Sequence, residues 1–292
     1  MKFVTYQDKH QTNGTTRVGV VDGQSVIDLN RVLPDVPADI RLALLAGVDL
    51  TSAAKKALEL ARETDRQPLA DITYAPLLPS PGKIICLGLN YFDHAKEGGR
   101  EKPDYPWFFL RGATSLLAHE EAAQRPKVSE RLDYEAELAV IIGKAGRHVS
   151  QADALDHVYG YACFNDISVR DYQKRTPQWT IGKNFDKTGG FGPVLVSADE
   201  LPPGAEGLRI QSRLNGSVMQ DANTVDMIWN VRETIALLTE CMTLEPGDVI
   251  IMGTPAGVGQ ARTPPVWMKH GDTVEIEIEK VGLLVNTIQD EA

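Results

Sequence analysis

The chain has 292 residues, 42% of them hydrophobic and 24% charged, which allows a large core and is ordinary for a globular protein. Thirty Lys and Arg against 40 Asp and Glu leave a net charge of −10 with no basic block, which argues against a nucleic-acid partner. No apolar run approaches the roughly 20 residues of a membrane span, and the N-terminus lacks a signal pattern, so a cytoplasmic protein with no membrane partner is expected. Residues 2–6 and 17–29 read as strands around a polar turn, with Asp22-Gly23 as a hairpin signal. Helices are predicted near 37–46 and 51–64, the second capped by Thr51 or Ser52. Residues 75–82 hold three prolines, which places a linker at 76–82 between a small domain (1–75) and a main domain (83–292).

Beyond the linker, 83–91 reads as a buried strand leading into a polar stretch with His94 and Glu97. Residues 98–106, with two glycines and two prolines, suggest a mobile loop. Helices are predicted near 151–157, 168–175 and 228–241, and hairpins at 247–253 and 271–288. Cys86, Cys163 and Cys241 lie in apolar surroundings and read as small core residues rather than a disulfide frame or a zinc site. The coarse picture is a mostly-β main domain behind a small α/β N-terminal domain.

Chemistry concentrates on 132–144, read as a strand closed by Gly143. Alternation puts Glu135 and Glu137 on one face and Tyr134, Ala136 and Leu138 on the other. Two carboxylates about 7 Å apart resist burial unless a cation sits between them. The pair is therefore either the solvated face of an edge strand or half of a hard-metal site. An apolar strand then runs into Asn165-Asp166. If 166–173 is helical, Asp166, Arg170 and Gln173 share a face. Asp166 is either an N-cap or a third oxygen ligand, and three carboxylates suit Mg²⁺ or Mn²⁺.

Lys183, between Gly182 and bulky neighbours, is either exposed or a stabiliser of a bound oxyanion. His94 and Glu97 form an i, i+3 pair if their stretch coils, the usual arrangement of an oriented general base. Residues 253–259 are Gly-rich without the lysine of a phosphate loop. They read as a plain turn, or as a tight loop bringing backbone N–H groups and Thr254 to a ligand.

As an ordered set, these stretches resemble the fumarylacetoacetate hydrolase (FAH) superfamily. The matching segments are Gly88-Leu89-Asn90-Tyr91 with His94 and Glu97, Leu132-Asp133-Tyr134-Glu135-Ala136-Glu137, Asn165-Asp166-Ile167-Ser168-Val169-Arg170-Asp171, Gln178-Trp179-Thr180-Ile181-Gly182-Lys183 and Gly253-Thr254-Pro255. The resemblance runs from about residue 80 to the end, while the first 75 residues resemble the small domain of longer bacterial members. It implies an α+β, mostly-β fold with a mixed β-sandwich roll as catalytic domain, assembled as a homodimer. It further implies Mg²⁺ or Mn²⁺ on Glu135, Glu137 and Asp166, with His94 and Glu97 activating water on a lid. Arg170, Gln173 and Lys183 would contact the oxo and carboxylate groups of a small oxo-acid substrate. Arg111, where many relatives carry lysine, would join Arg170 on a carboxylate tail, with Thr254 nearby.

The reaction so implied is C–C bond hydrolysis of an acylpyruvate from aromatic or sugar-acid catabolism. The alternatives on the same scaffold are oxaloacetate decarboxylation and isomerisation of 2-hydroxyhepta-2,4-diene-1,7-dioate. A reading of another class, a non-catalytic ligand-binding scaffold, has little use for so complete an ionisable set.

Overall fold

The computed structural model describes residues 1–9, 15–99 and 101–292. The first strands are β1 (Lys2–Asp8), β2 (Arg17–Asp22) and β3 (Ser25–Asp28). The turn at Asp22-Gly23 joins β2 to β3 as expected, Gly23 taking φ +61°. Residues 10–14 of the polar turn before β2 lie outside the described residues. Helix α1 (Leu29–Val32) follows, then α2 (Ile40–Leu45) and α3 (Leu50–Leu60). Asp49, not Thr51 or Ser52, caps α3 by accepting from the Ser52 N–H at 3.0 Å. Two short strands, β4 (Arg66–Pro68) and β5 (Ile72–Tyr74), complete this region.

Next come β6 (Ile84–Gly88), helix α4 (Phe92–Glu97), β7 (Trp107–Arg111), β8 (Leu116–Leu117) and β9 (Ala123–Arg125). Within the predicted loop 98–106, Arg100 lies outside the described residues. The centre is built by β10 (Leu132–Asp133), β11 (Ala136–Ile142), β12 (Val158–Asp166), β13 (Ser168–Val169) and β14 (Gly189–Ser197). The short helices α5 (Arg170–Gln173) and α6 (Thr180–Lys183) lie between β13 and β14. The chain ends with β15 (Arg209–Leu214), β16 (Ser217–Asn223), α7 (Val231–Cys241), β17 (Val249–Ile251), β18 (Thr273–Ile278) and β19 (Gly282–Asp290).

The main mixed sheet runs β4-β3-β2-β1-β14-β12-β11-β17-β6-β7, and the second sheet runs β16-β15-β18-β19-β9. The second sheet packs on β11, β12 and β14 of the first. Between them lies a core holding Leu138, Val140, Ile142, Cys163, Ile210 and Ile276. The opposite face of the main sheet buries Ala139, Ile141 and Phe164 together with Phe3, Leu29, Ile40 and Leu50 of the N-terminal region. Phe3 of β1 pairs with Leu195 of β14, so the first strands extend the main sheet. Leu77 and Leu78 of the proline-rich segment are buried in the same core. The architecture is α+β and mostly β.

Four local expectations change. Residues 247–253 are not a hairpin: β17 lies between β11 and β6 at the middle of the sheet. Its Val-Ile-Ile run, buried throughout, is the signature of a strand covered on both faces. The helix predicted at 168–175 shrinks to α5, because Ser168 and Val169 pair with Asp133 and Leu132. Residues 151–157 reduce to a 3₁₀ turn at Ala154–His157. Cys86 and Cys163 are buried, but Cys241 is exposed at the end of α7, past the inward stripe of Val231, Thr234, Ile235 and Leu238.

Candidate active site

The strand alternation read from the sequence places the centre. Tyr134, Ala136, Leu138, Val140 and Ile142 enter the inter-sheet core, while Ala139 and Ile141 face the opposite core. Glu135 and Glu137 share the parity of that second set. They stand where β11 emerges from the sheet, beside Asp166 at the end of β12; Ala136 pairs with Asn165. One carboxylate oxygen from each of Glu135, Glu137 and Asp166 lies within 4.8 Å of the others, all three buried. Asp166 therefore ends a strand and is not an N-cap; α5 begins four residues later behind Val169.

Burying three carboxylates together requires cations, and three surround them. The Lys183 ammonium, 1% exposed, bridges Glu135 Oε2 and Asp166 Oδ2 at 2.6 Å each. Arg170 Nη1 meets Glu135 Oε1 at 2.7 Å and Gln173 Oε1 at 3.0 Å. Arg111 Nε donates to Asp166 Oδ1 at 2.6 Å. Burial alone would push the Glu135 carboxyl up, but Lys183 and then Arg170 outweigh it and hold it well below the usual carboxylate range. Glu137 goes the other way. Burial and the neighbouring Asp166 and Glu135 push its carboxyl well up, against Lys183 and the Gly253 N–H donated at 2.6 Å. Burial opposes the Lys183 charge, yet Asp166 and Glu135 raise its affinity for the proton.

Glu137 is thus left without an ion pair of its own among the described residues. Three hard oxygen donors at short range, one of them short of positive charge, fit a divalent cation.

A cavity of about 660 Å³ opens beside this centre, lined by His94, Glu97, Glu135, Glu137, Arg170, Gln173, Lys183 and Thr254. Helix α4 brings the His94–Glu97 pair to it. Asn90, fully buried, fixes the entrance to α4 by donating to Trp229 O and Met252 O at 3.0 and 2.7 Å. The helix then sets His94 Nδ1 at 2.7 Å from Glu97 Oε1. With Nδ1 engaged, Nε2 is the ring nitrogen available to the cavity. Thr254 Oγ1 accepts from Gln220 Nε2 at 2.7 Å, so its hydroxyl proton is free to be donated. Arg170 Nη2 is buried with no hydrogen-bond partner among the described residues.

Arg111 is corrected. It does not line the cavity: it lies behind Asp166, its other N–H groups donating to Ile167 O and Thr188 O at 2.8 and 3.0 Å. It supports an acid of the centre and has no edge left for a substrate. The N–H groups of the three glycines at 253, 257 and 259 are likewise not offered to a ligand. Gly253 N donates to Glu137, Gly257 N to Glu97 and Gly259 N to Asp133.

Residues the sequence reading passed over complete the site. Trp179 lies on Gly88, where a Cβ would come within 2.0 Å of its ring, and stacks on Trp107 with centroids 5.3 Å apart. With Phe109, edge-on at 5.8 Å, these rings make an aromatic wall of the cavity. Asp133, fully buried against Arg170, was also missed. The signal for it was available, because position 133 continues the parity of 135 and 137.

This fold, with a buried three-carboxylate centre opening on a cavity with a histidine–glutamate pair, is that of the fumarylacetoacetate hydrolases. The fumarylacetoacetate (FAA) hydrolase C-terminal family model matches residues 83–289, and the chain belongs to that family. It is 37% identical over 290 residues to mitochondrial oxaloacetate tautomerase FAHD2A of Homo sapiens, covering 99% of this chain and 91% of that one. It is also 37% identical over 285 residues to oxaloacetate tautomerase YisK of Bacillus subtilis, covering 92% and 94%. Among solved structures, maleylpyruvate hydrolase from Sphingobium sp. SYK-6 in complex with manganese(II) and pyruvate superposes over 100% of both chains. The TM-score is 0.81 and the identity 30%. Family membership makes the chain one of a set of enzymes, and the manganese complex agrees with a divalent metal at the carboxylate centre.

Proposed function

We propose that this protein is a divalent-metal-dependent tautomerase that interconverts the enol and keto forms of a 2-oxo dicarboxylic acid of the oxaloacetate type. Oxaloacetate tautomerases align with nearly the whole chain. The observation that carries the reading is the His94–Glu97 pair at 2.7 Å, opening on the same cavity as Lys183 and Arg170. Tautomerisation moves one proton between the C2 oxygen and C3 and changes nothing else. It needs a neutral base poised to carry that proton and cations to hold the enolate charge.

Mg²⁺ or Mn²⁺ on Glu135, Glu137 and Asp166 would supply a Lewis-acid contact for the oxo and carboxylate oxygens. Arg170, through the unpartnered Nη2, binds a substrate carboxylate, with Gln173 holding the opposite edge of the guanidinium. The Lys183 ammonium faces the oxygen that gains charge. His94 Nε2, oriented by Glu97, takes the C3 proton and delivers it to the C2 oxygen in one direction and carries it back in the other. Thr254 donates a hydrogen bond to a substrate oxygen, and the Trp107–Trp179 wall excludes water from that side.

A second reading, acylpyruvate hydrolysis, is favoured by the size of the cavity: about 660 Å³ is far more than a four-carbon acid fills. In that reaction His94 Nε2 takes its proton from water, and pyruvate and a carboxylic acid leave.

The test follows decay of enol-oxaloacetate absorbance with chelator-treated and metal-restored protein. Products are identified by coupled reduction of keto-oxaloacetate or pyruvate, alongside a short acylpyruvate. Metal-dependent enol decay with keto-oxaloacetate conserved supports the tautomerase. Pyruvate from the acylpyruvate, with no acceleration of enol decay, would replace it with the hydrolase. Pyruvate from oxaloacetate would replace it with a decarboxylase.

A further inference from the structure

The backbone of 257–260 is held by two carboxylates that belong to different parts of the cavity. At one end, Gly257 N donates to Glu97 Oε2 at 2.9 Å, and Glu97 also holds His94. At the other end, Asp133 Oδ1 accepts from Gly259 N at 2.7 Å and Oδ2 from Gln260 N at 3.0 Å. Asp133 is fully buried, and its remaining capacity is taken by Tyr134 N at 2.9 Å and Arg170 Nε at 2.7 Å. Four donors, one of them a guanidinium, saturate the carboxylate.

The path between the two acids is short and stiff. At Gly257, with φ +104°, a Cβ would come within 2.2 Å of Met219 O. At Gly259 it would come within 2.0 Å of Val266 O and 2.6 Å of Asp133 Oδ1. Close approach of this backbone therefore requires glycine at both positions. Tyr134, next to Asp133, donates its hydroxyl to Gly257 O at 3.1 Å and closes the clasp from below.

We infer that Asp133 is a positioning residue that, through 257–260, locks the guanidinium of Arg170 and the His94–Glu97 pair into one unit. On the arginine side, Asp133 takes Nε and Glu135 with Gln173 take Nη1, so the plane is fixed and Nη2 is the edge left for a ligand. On the helix side, Glu97 can orient His94 only while Gly257 N holds its second oxygen. The substrate-holding cation and the proton-carrying base thus share one support, although neither touches the other.

The kinetic half of the test rests on the proposed function; the other half does not. Amide hydrogen exchange is compared in metal-loaded wild type, Asp133→Asn and Glu97→Ala. An asparagine cannot accept from four donors, and whichever oxygen its NH2 replaces, it faces two of them. In Asp133→Asn, exchange should rise on the order of ten-fold or more at 257–260 and also at 92–97, more than twenty residues from the mutated position in sequence. In Glu97→Ala, at the part-exposed end, exchange should rise in the same measure at Gly259 and Gln260. Acceleration confined to the mutated end in each variant would overturn the inference.

With oxaloacetate as probe, Asp133→Asn should raise KM about ten-fold and lower kcat as well, whereas a merely structural role would lower the unfolding midpoint and leave KM alone. An unchanged KM would also overturn it. Wild type that turns over no oxo acid bears on the proposed function alone, since the exchange readout needs no substrate.

Discussion

Two ionic clusters in this molecule look alike in composition and behave oppositely. In the N-terminal region, Arg17 pairs with Asp28, Arg31 and Arg62 with Asp65, and Arg66 with Asp22. Each of these carboxylates has a guanidinium, and two of the four arginines are open to water, Arg62 at 77% and Arg31 at 56%. Arg62 holds the Asp65 carboxyl below its ordinary range through a side-chain and a backbone hydrogen bond. In the catalytic region the partners are buried, and Glu137 shares its surroundings with Asp166 and Glu135 without a cation of its own. Surface pairing that leaves nothing over is ordinary solubility and local order. A buried cluster with a carboxylate left over carries a cost that a proton or a bound cation must remove, and that imbalance marks a candidate functional centre.

The sharpest way to break the contrast is to remove an acid from the buried centre. Asp166→Asn removes a donor, leaves Arg111 without a carboxylate and leaves Lys183 with Glu135 alone. Bound metal, measured by elemental analysis, should be lost and turnover should fall below detection. Full metal content with turnover intact would show that Asp166 serves the fold alone. Next in size is His94→Ala. It leaves the three carboxylates untouched, so metal content should equal wild type while kcat drops by roughly 10²–10⁴-fold, the range for loss of a positioned base. An active variant would remove His94 from the proton path.

How far the site could be read from sequence follows the range of the interactions. Glu135 and Glu137 were legible because strand alternation is local, and His94 with Glu97 because i, i+3 is one helical turn. The environment of Lys183 was not: its partners are 48 and 17 residues away, and both readings of a lysine beside a glycine were open. Arg111 was misplaced for the same reason, since only β6–β7 pairing carries it behind Asp166, 55 residues on. The Gly-rich segment was read as a tight loop bringing backbone N–H groups and Thr254 to a ligand. Its donors are nonetheless spent on three acids of the protein, which no spacing rule discloses. In the fold, hairpin chemistry at Asp22-Gly23 was legible, whereas β17 was masked by glycines at both ends of a strand buried mid-sheet.

The contrast also predicts opposite responses to pH. The Asp65 carboxyl is held below its ordinary value, so what it contributes to stability is present above that value and is lost on acidification. Glu137 is held above its ordinary 4.5 in the metal-free protein. The folded state then binds its proton more tightly than the unfolded state. That contribution is whole below 4.5 and declines as pH climbs toward the folded value. With chelator present, the unfolding midpoint of wild type should fall as pH rises above 4.5, and Glu137→Gln should flatten that fall. Glu137→Gln should therefore be the more stable protein at neutral pH without metal, and the inactive one with it. Parallel curves for the two proteins would remove the imbalance on which the comparison rests.

The smallest effect is expected from the other cluster. Asp28 accepts from Arg31 N at 3.2 Å as the N-cap of α1 and pairs with Arg17. Asp28→Asn keeps a capping oxygen and loses the ion pair, whereas Asp28→Ala loses both. The alanine variant should cost about 1 kcal/mol. In a chain of this size that is a midpoint lowered by about 2–3 °C. Turnover should not change in either variant, because a hydrogen bond from β3 to α1 has no atom in the cavity. Backbone hydrogen bonds connect the two clusters through β1, which pairs on one side with β2, the partner strand of Asp28, and on the other with β14. A loss of kcat/KM in Asp28→Ala at a temperature well below its midpoint would mean that this sheet transmits strain to Asp166. The N-terminal strands would then belong to the catalytic machinery rather than to its frame.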